Sequence, residues 1–145
     1  MYDHILLPTD GSDGIERVAA NAIHLAQENG ATLHVLHVVD TDTVALDPHS
    51  QGLTDELEAA GRASVAAIHD RAAEVGVYCV EEVRYGNPAE EILTYADEND
   101  VDIIVIGTHG RHGVRRALIG SVAERVVRNS ETPVLTVRTL PTESE

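Results

Sequence analysis

The chain has a single cysteine, Cys79, and no tryptophan, phenylalanine or lysine. One thiol excludes an internal disulfide framework and any zinc site built from cysteines alone. Long apolar runs are missing too. Runs such as Ile103 to Gly107 fall far short of the ~20 residues a membrane span requires. No basic segment precedes the short Ile5-Leu6-Leu7 run, so the sequence predicts no secretory leader and no membrane insertion. The expected compartment is the cytoplasm. Positive charge is scarce. Ten basic residues, all arginine, stand against 25 carboxylates, for a net charge of −15. A surface of that sign repels phosphodiester backbones, which disfavours DNA or RNA as a partner. Acidity without lysine reads as a halophilic trait, since concentrated salt screens carboxylate repulsion to a range of roughly 3 Å.

What is present is a globular pattern. Hydrophobic residues make up 43% of the 145, and a chain this long suits one domain of about 150 residues spanning 1–145. The polar end at 140–145 is expected to be a mobile tail. Strand-like runs alternate with helical spacing. Strands are expected at Asp3–Pro8, Thr32–Val39, Val77–Tyr85, Val101–Ile106 and Thr132–Thr139. Helices are expected at Asp13–Asn29, from Leu53 to Val75, from Asn87 onward and at Ser121–Asn129, with a polar loop at Asp40–Gly52. Asn87-Pro88-Ala89-Glu90 predicts a helix start, because Asn87 can cap and Pro88 suits the first helical position. Alternating strands and helices imply an α/β fold, a parallel sheet with helices on both faces. In such sheets ligands sit beyond the carboxyl ends of the strands, at the switch point. That rule selects Pro8–Ser12 after the first strand and Gly107–Ser121 after the fourth.

The second of these segments has an unusual charge. From Ile103 to Ala123 there is no carboxylate, where the chain's average would put roughly three or four. Arg111, Arg115, Arg116, His109 and His112 stand there instead. Glycines let backbone N–H groups approach an anion, and a helix N-terminus favours phosphate. Gly107, Gly110, Gly120 and Ser121 therefore form a candidate anion site. Ser121-x-x-Glu124 also reads as a capping box, and Asp10-Gly11 as a common turn pair. Contact of the three arginines with phosphate rests on charge alone; a solvated loop is the other reading.

Gly107-x2-Gly110-x9-Gly120-Ser121 resembles the nucleotide motif of the universal stress protein family. Pro8-Thr9-Asp10-Gly11-Ser12 is similar to that family's first loop, and Leu36-His37-Val38-Val39-Asp40 to the end of its second strand. The resemblance covers Tyr2 to Thr139 and points to the motif-bearing branch, which binds ATP. It implies a five-stranded parallel sheet in the order 3-2-1-4-5, Rossmann-like and of the adenine nucleotide alpha-hydrolase-like type. It implies ATP, or AMP or ADP, as ligand, with Mg2+ able to bridge the phosphates. Asp10 and the Val38 backbone would hold the adenine and ribose, with Pro8, Thr9 and Ile106 lining the site. Gly107 and Gly110 would follow the ribose and phosphates; Gly120, Ser121 and Val122 would take the later phosphates, with Arg111 nearby. The resemblance also implies a homodimer, and Pro133, Val134, Leu135 and Val137 on the last strand are its expected interface.

No other constellation competes. His109 and His112 have no third ligand nearby in sequence, and no metal is expected on protein side chains. His34 and His37 are three residues apart on a strand and point to opposite faces. Cys79 reads as a buried inert thiol. No nucleophile elbow and no Walker loop occurs. A regulatory nucleotide-binding module of the stress response is the leading reading, because no residue is an obvious base for water. A slow ATPase or nucleotidyl-transfer enzyme on the same sheet, or an ATP-sensing accessory of a membrane transporter, stays open.

Overall fold

The computed structural model describes residues 2–12, 14–41, 50–109 and 120–139. The expected tail at 140–145, Gly110 and Arg111 lie outside the described residues, as does Asp13. The elements run β1 (His4–Thr9), α1 (Ile15–Asn29), β2 (Thr32–Asp40), α2 (Ser50–Glu74), β3 (Cys79–Gly86), α3 (Pro88–Glu98), β4 (Ile103–Gly107), α4 (Ser121–Asn129) and β5 (Val134–Val137). The five strands form one parallel sheet in the order β3-β2-β1-β4-β5.

Side-chain alternation divides the core between two faces. Leu33 and Val35 join Ile5, Leu7, Val105 and Val137 under α1 and α2. Leu6, Leu36, Ile104 and Ile106 lie on the other face with Ile92, Tyr95 and Ala96 of α3 and Val126 of α4. The central strands are buried on both faces, so they read as continuous apolar runs. Each buried Leu or Ile stabilises by about 1.5–3 kcal/mol. In α1 the buried stripe is Val18, Ala19, Ala22, Ile23 and Ala26, at the spacing the sequence predicts. Asn87 caps α3 through its side chain, which accepts from the Glu90 amide.

The boundaries differ from the sequence pattern for identifiable reasons. β3 and β4 each begin two residues later than expected. The Val77 amide donates to the Ala72 carbonyl at 2.9 Å and the Val101 amide to the Ala96 carbonyl at 3.0 Å. Both amides close the preceding helix and are lost to the sheet. The first helix starts at Ile15, and α2 starts at Ser50, ahead of the apolar repeat that begins at Leu53. Val75, where the helix is expected to end, lies just past α2 and is 43% exposed. The last strand is four residues long, because Thr139 is bonded to Thr108 and His109 instead.

Candidate functional site

β1 is followed by α1 on one face of the sheet, and the neighbouring β4 is followed in the described chain by α4 on the other. This is the switch point of the sheet, and ligands of such folds bind there, outside the carboxyl ends of the strands. Around it lie the described residues of both segments that the sequence singles out.

The first wall is the exit of β1. Pro8 and Thr9 are buried. The Thr9 hydroxyl lies 2.8 Å from the Ser64 hydroxyl and accepts the Gly11 amide at 3.1 Å. The Asp10 carboxylate accepts the Ser12 amide at 2.9 Å, and Gly11 has φ of 80°. The Asp-Gly turn pair is thus real, and Asp10 is half-buried within it. Val38, near the end of β2, is half-buried against the α3–α4 core.

The second wall is the exit of β4. Ile106 is buried and Gly107 half-buried. A Cβ on Gly107 would stand 2.8 Å from Thr139 Cγ2 and 3.1 Å from Val18 Cγ2, so packing alone demands glycine there. The Thr108 carbonyl accepts the Gly120 amide, which joins the two ends of segment 110–119. Thr139 fastens the junction. Its hydroxyl accepts the His109 amide at 3.2 Å and its own amide donates to the Thr108 hydroxyl at 3.3 Å. Its side chain also meets Gly14, where a Cβ would be 2.9 Å away. The start of α1 and the ends of β4 and β5 therefore converge at one residue.

Helix α4 opens on this junction. Gly120 is its N-cap, with φ −71° and ψ 161°, and no side chain caps it. This corrects the capping-box expectation: Ser121 is the first helical residue, exposed, and one position too late to cap. The first amides of any helix have no partner within it, so those of Ser121, Val122 and Ala123 present donors and a positive dipole end beside Gly107 and Thr108. Glu124, in the first turn, is engaged by Arg128 at 3.2 Å.

Several participants escape a reading of the sequence alone. Thr108 and Thr139 are unremarkable in composition, and their pairing joins strands distant in sequence. Gly61, Ser64 and His37 form the rear of the first wall through contacts between segments distant in sequence. His34 and His37 do take opposite faces, as expected. Cys79 is buried, and burial pushes its thiol up to about 11, which keeps it protonated and unreactive. Among the described residues no cluster of His, Cys, Asp or Glu is arranged to hold a metal. No described helix is long and apolar enough to cross a membrane.

A five-stranded parallel sheet in this order, with helices on both faces, places the chain in the adenine nucleotide alpha-hydrolase-like class of α/β folds. The model of the universal stress protein family matches residues 1–138, and the chain belongs to that family. It is 37% identical over 141 residues to universal stress protein MJ0531 of Methanocaldococcus jannaschii, covering 95% of this chain and 83% of that one. The solved structure of MJ0577, from the same organism, superposes with a TM-score of 0.89 at 30% identity, covering 98% of this chain and 99% of that one. A universal stress protein solved in complex with cAMP matches with a TM-score of 0.72 at 27% identity, over 96% of this chain and 98% of that one. One from Archaeoglobus fulgidus in complex with dAMP matches with a TM-score of 0.71 at 26% identity, over 93% and 97%.

Proposed function

We propose that this protein binds ATP at the β1/β4 switch point and acts as a nucleotide-responsive regulatory module of the stress response. The observation that carries the reading is the Thr108–Gly120 bond. It brings the glycine motif back on itself, with an uncapped helix start at the mouth of the switch point. That arrangement suits an anion bound by backbone N–H groups. The carboxylate-free stretch from Ile103 to Ala123 supports the same anion. The cAMP and dAMP complexes of two relatives support an adenine nucleotide as the class.

In this reading Asp10 and the Val38 backbone take the adenine and ribose, lined by Pro8, Thr9 and Ile106. Gly107 and Gly110 are assigned to the ribose and phosphates. The Gly120, Ser121 and Val122 amides and the Ser121 hydroxyl take the later phosphates, Arg111 is assigned to add charge, and Mg2+, if bound with the nucleotide, would neutralise phosphate charge. No described side chain stands out as a base for water, so turnover is slow at most. The whole chain acts as one cytoplasmic domain, adapted to high salt, and pairs through β5 into a homodimer. The test is calorimetry with ATP, ADP, AMP and cAMP, with and without Mg2+, beside a mass spectrum of small molecules released from the purified protein. Micromolar binding of ATP is expected. Absence of binding by every adenine nucleotide overturns the reading, and rapid steady-state hydrolysis turns it to the enzyme.

A further inference from the structure

His37 stands in register opposite Thr9, on the strand next to it. Its side chain points to the face of Leu33 and Val35, under α2, and the residue is only 4% exposed. The ring Nδ1 lies 2.8 Å from the Thr9 carbonyl oxygen. A carbonyl can only accept, so Nδ1 carries the proton and donates. The other ring nitrogen, Nε2, is buried and has no hydrogen-bond partner among the described residues. A buried polar atom left unpaired is unfavourable. A purely apolar side chain would avoid that cost, so whatever offsets it lies at Nδ1.

The ring needs a specific seat. A Cβ on Gly61 would stand 1.9 Å from His37 Cδ2, 2.2 Å from Nε2 and 2.3 Å from Cγ. The imidazole therefore lies directly on the bare Cα of Gly61, well inside a 25-residue helix. Glycine is the weaker helix former there, and close approach is what it supplies. Three residues further along the same helix, Ser64 reaches the Thr9 hydroxyl at 2.8 Å. Helix α2 thus grips Thr9 twice. It holds the hydroxyl through Ser64 and, with His37 wedged between, the carbonyl. Thr9 is the last residue of β1, and the turn through Asp10 and Gly11 starts from it; its hydroxyl takes the Gly11 amide.

We infer that His37 is a positioning residue for the nucleotide site. It fixes the Thr9 carbonyl, and with it the exit direction of the loop that carries Asp10, against a seat made by Gly61 and Ser64. The inference deepens the nucleotide reading above and rests on it only for its effect on affinity. Its structural half concerns the ligand-free protein.

The full-length chain is compared as wild type, His37→Leu, His37→Asn, Gly61→Ala and Ser64→Ala. Asparagine keeps an N–H donor close to the position of Nδ1; leucine keeps bulk and loses the donor. In the ligand-free protein, amide hydrogen exchange at Gly11 and Ser12 is expected to quicken at least about tenfold in His37→Leu. In His37→Asn it stays within roughly threefold of wild type. Gly61→Ala behaves like His37→Leu although alanine favours the helix. With ATP, the dissociation constant is expected to rise about tenfold in His37→Leu and to recover in His37→Asn. Equal disturbance by Leu and Asn, or none by either, overturns the inference. Should His37→Leu fail to fold, Ser64→Ala decides: faster exchange at Gly11 supports the grip on Thr9, and unchanged exchange overturns it. A wild type that binds no ATP defeats the nucleotide reading while the exchange measurements still judge His37.

Discussion

His34 Nδ1 and the Tyr95 hydroxyl lie 2.7 Å apart in a buried contact that ties β2 to α3. On its other side the His34 ring meets His4, with Nε2 and Nδ1 3.0 Å apart, so β1, β2 and α3 share one polar chain at the amino-terminal end of the sheet. Arg84 stacks over the Tyr95 ring at 4.9 Å and is itself held by Glu82, Glu91 and Glu98. Burial, and secondarily the neighbouring His4, lower the His34 pKa below its usual value. The unfolded chain then binds more protons than the folded one between the lowered value and about 6.5. Stability contributed at this site is intact above that interval and falls as pH drops through it.

The melting temperature should therefore fall more between about pH 7.5 and pH 5.5 in the wild type than in His34→Gln, both in molar salt. Equal falls would show that His34 does not carry the acid sensitivity. Tyr95→Phe leaves His34 Nδ1 without its buried partner and should cost about 1–3 kcal/mol at neutral pH, read from denaturant unfolding.

Two glycines of the nucleotide motif should behave differently. Gly120 has an extended backbone that any residue adopts, so Gly120→Val leaves the fold intact. Its branched side chain should nevertheless block the approach of phosphate and weaken ATP binding at least about tenfold, or about 1.4 kcal/mol. Gly107 is pressed between Thr139 and Val18. Gly107→Val should lose about 1–3 kcal/mol of stability, whatever it does to binding. Calorimetry and thermal melts on both variants separate the two effects; wild-type ATP affinity in Gly120→Val would remove the loop from the site.

The sheet order, four helices and the Asp10-Gly11 turn after β1 were legible from the sequence, because each rests on local spacing or on a family resemblance. Element ends were less so. The shifts at Val77 and Val101 come from amides that fold back on helix carbonyls, a choice that apolar patterning does not register. Thr139 reads as a strand-end threonine until folding brings it against Gly14, Gly107 and His109. His37 reads as a packed or solvated strand residue, since its partners are a carbonyl from β1 and a glycine from α2. Contacts between segments distant in sequence carry no periodic signal, and the rear wall of the site consists almost wholly of them.

Low salt should destabilise this chain. A net charge of −15 on 145 residues repels itself, and the described ion pairs of Arg62, Arg84, Arg125 and Arg128 relieve that repulsion only locally. The melting temperature should rise between roughly 0.05 M and 2 M potassium chloride as the screening length shrinks from over 10 Å to a few ångströms. A salt-independent melting temperature would remove the halophilic reading.

The edge of the sheet sets the last expectation. β5 is the terminal strand next to β4, so one side of its backbone has no strand neighbour within the described chain. An open edge invites pairing with a second copy. Val137 is buried in the core and is a poor probe, because a charge there would disturb folding. Leu135 occupies the same face yet is 40% exposed, and Pro133 sits before the strand, where a missing donor does least harm. A two-fold axis along β5 would cover Leu135 on both copies and pair both edges. Light scattering in molar salt should give twice the 15.6 kDa chain mass at micromolar concentration. Leu135→Asp should halve it, with the melting profile of the monomer still cooperative. A wild type that scatters as a monomer would show that β5 is shielded by its own chain, and a dimer that survives Leu135→Asp would move the interface elsewhere.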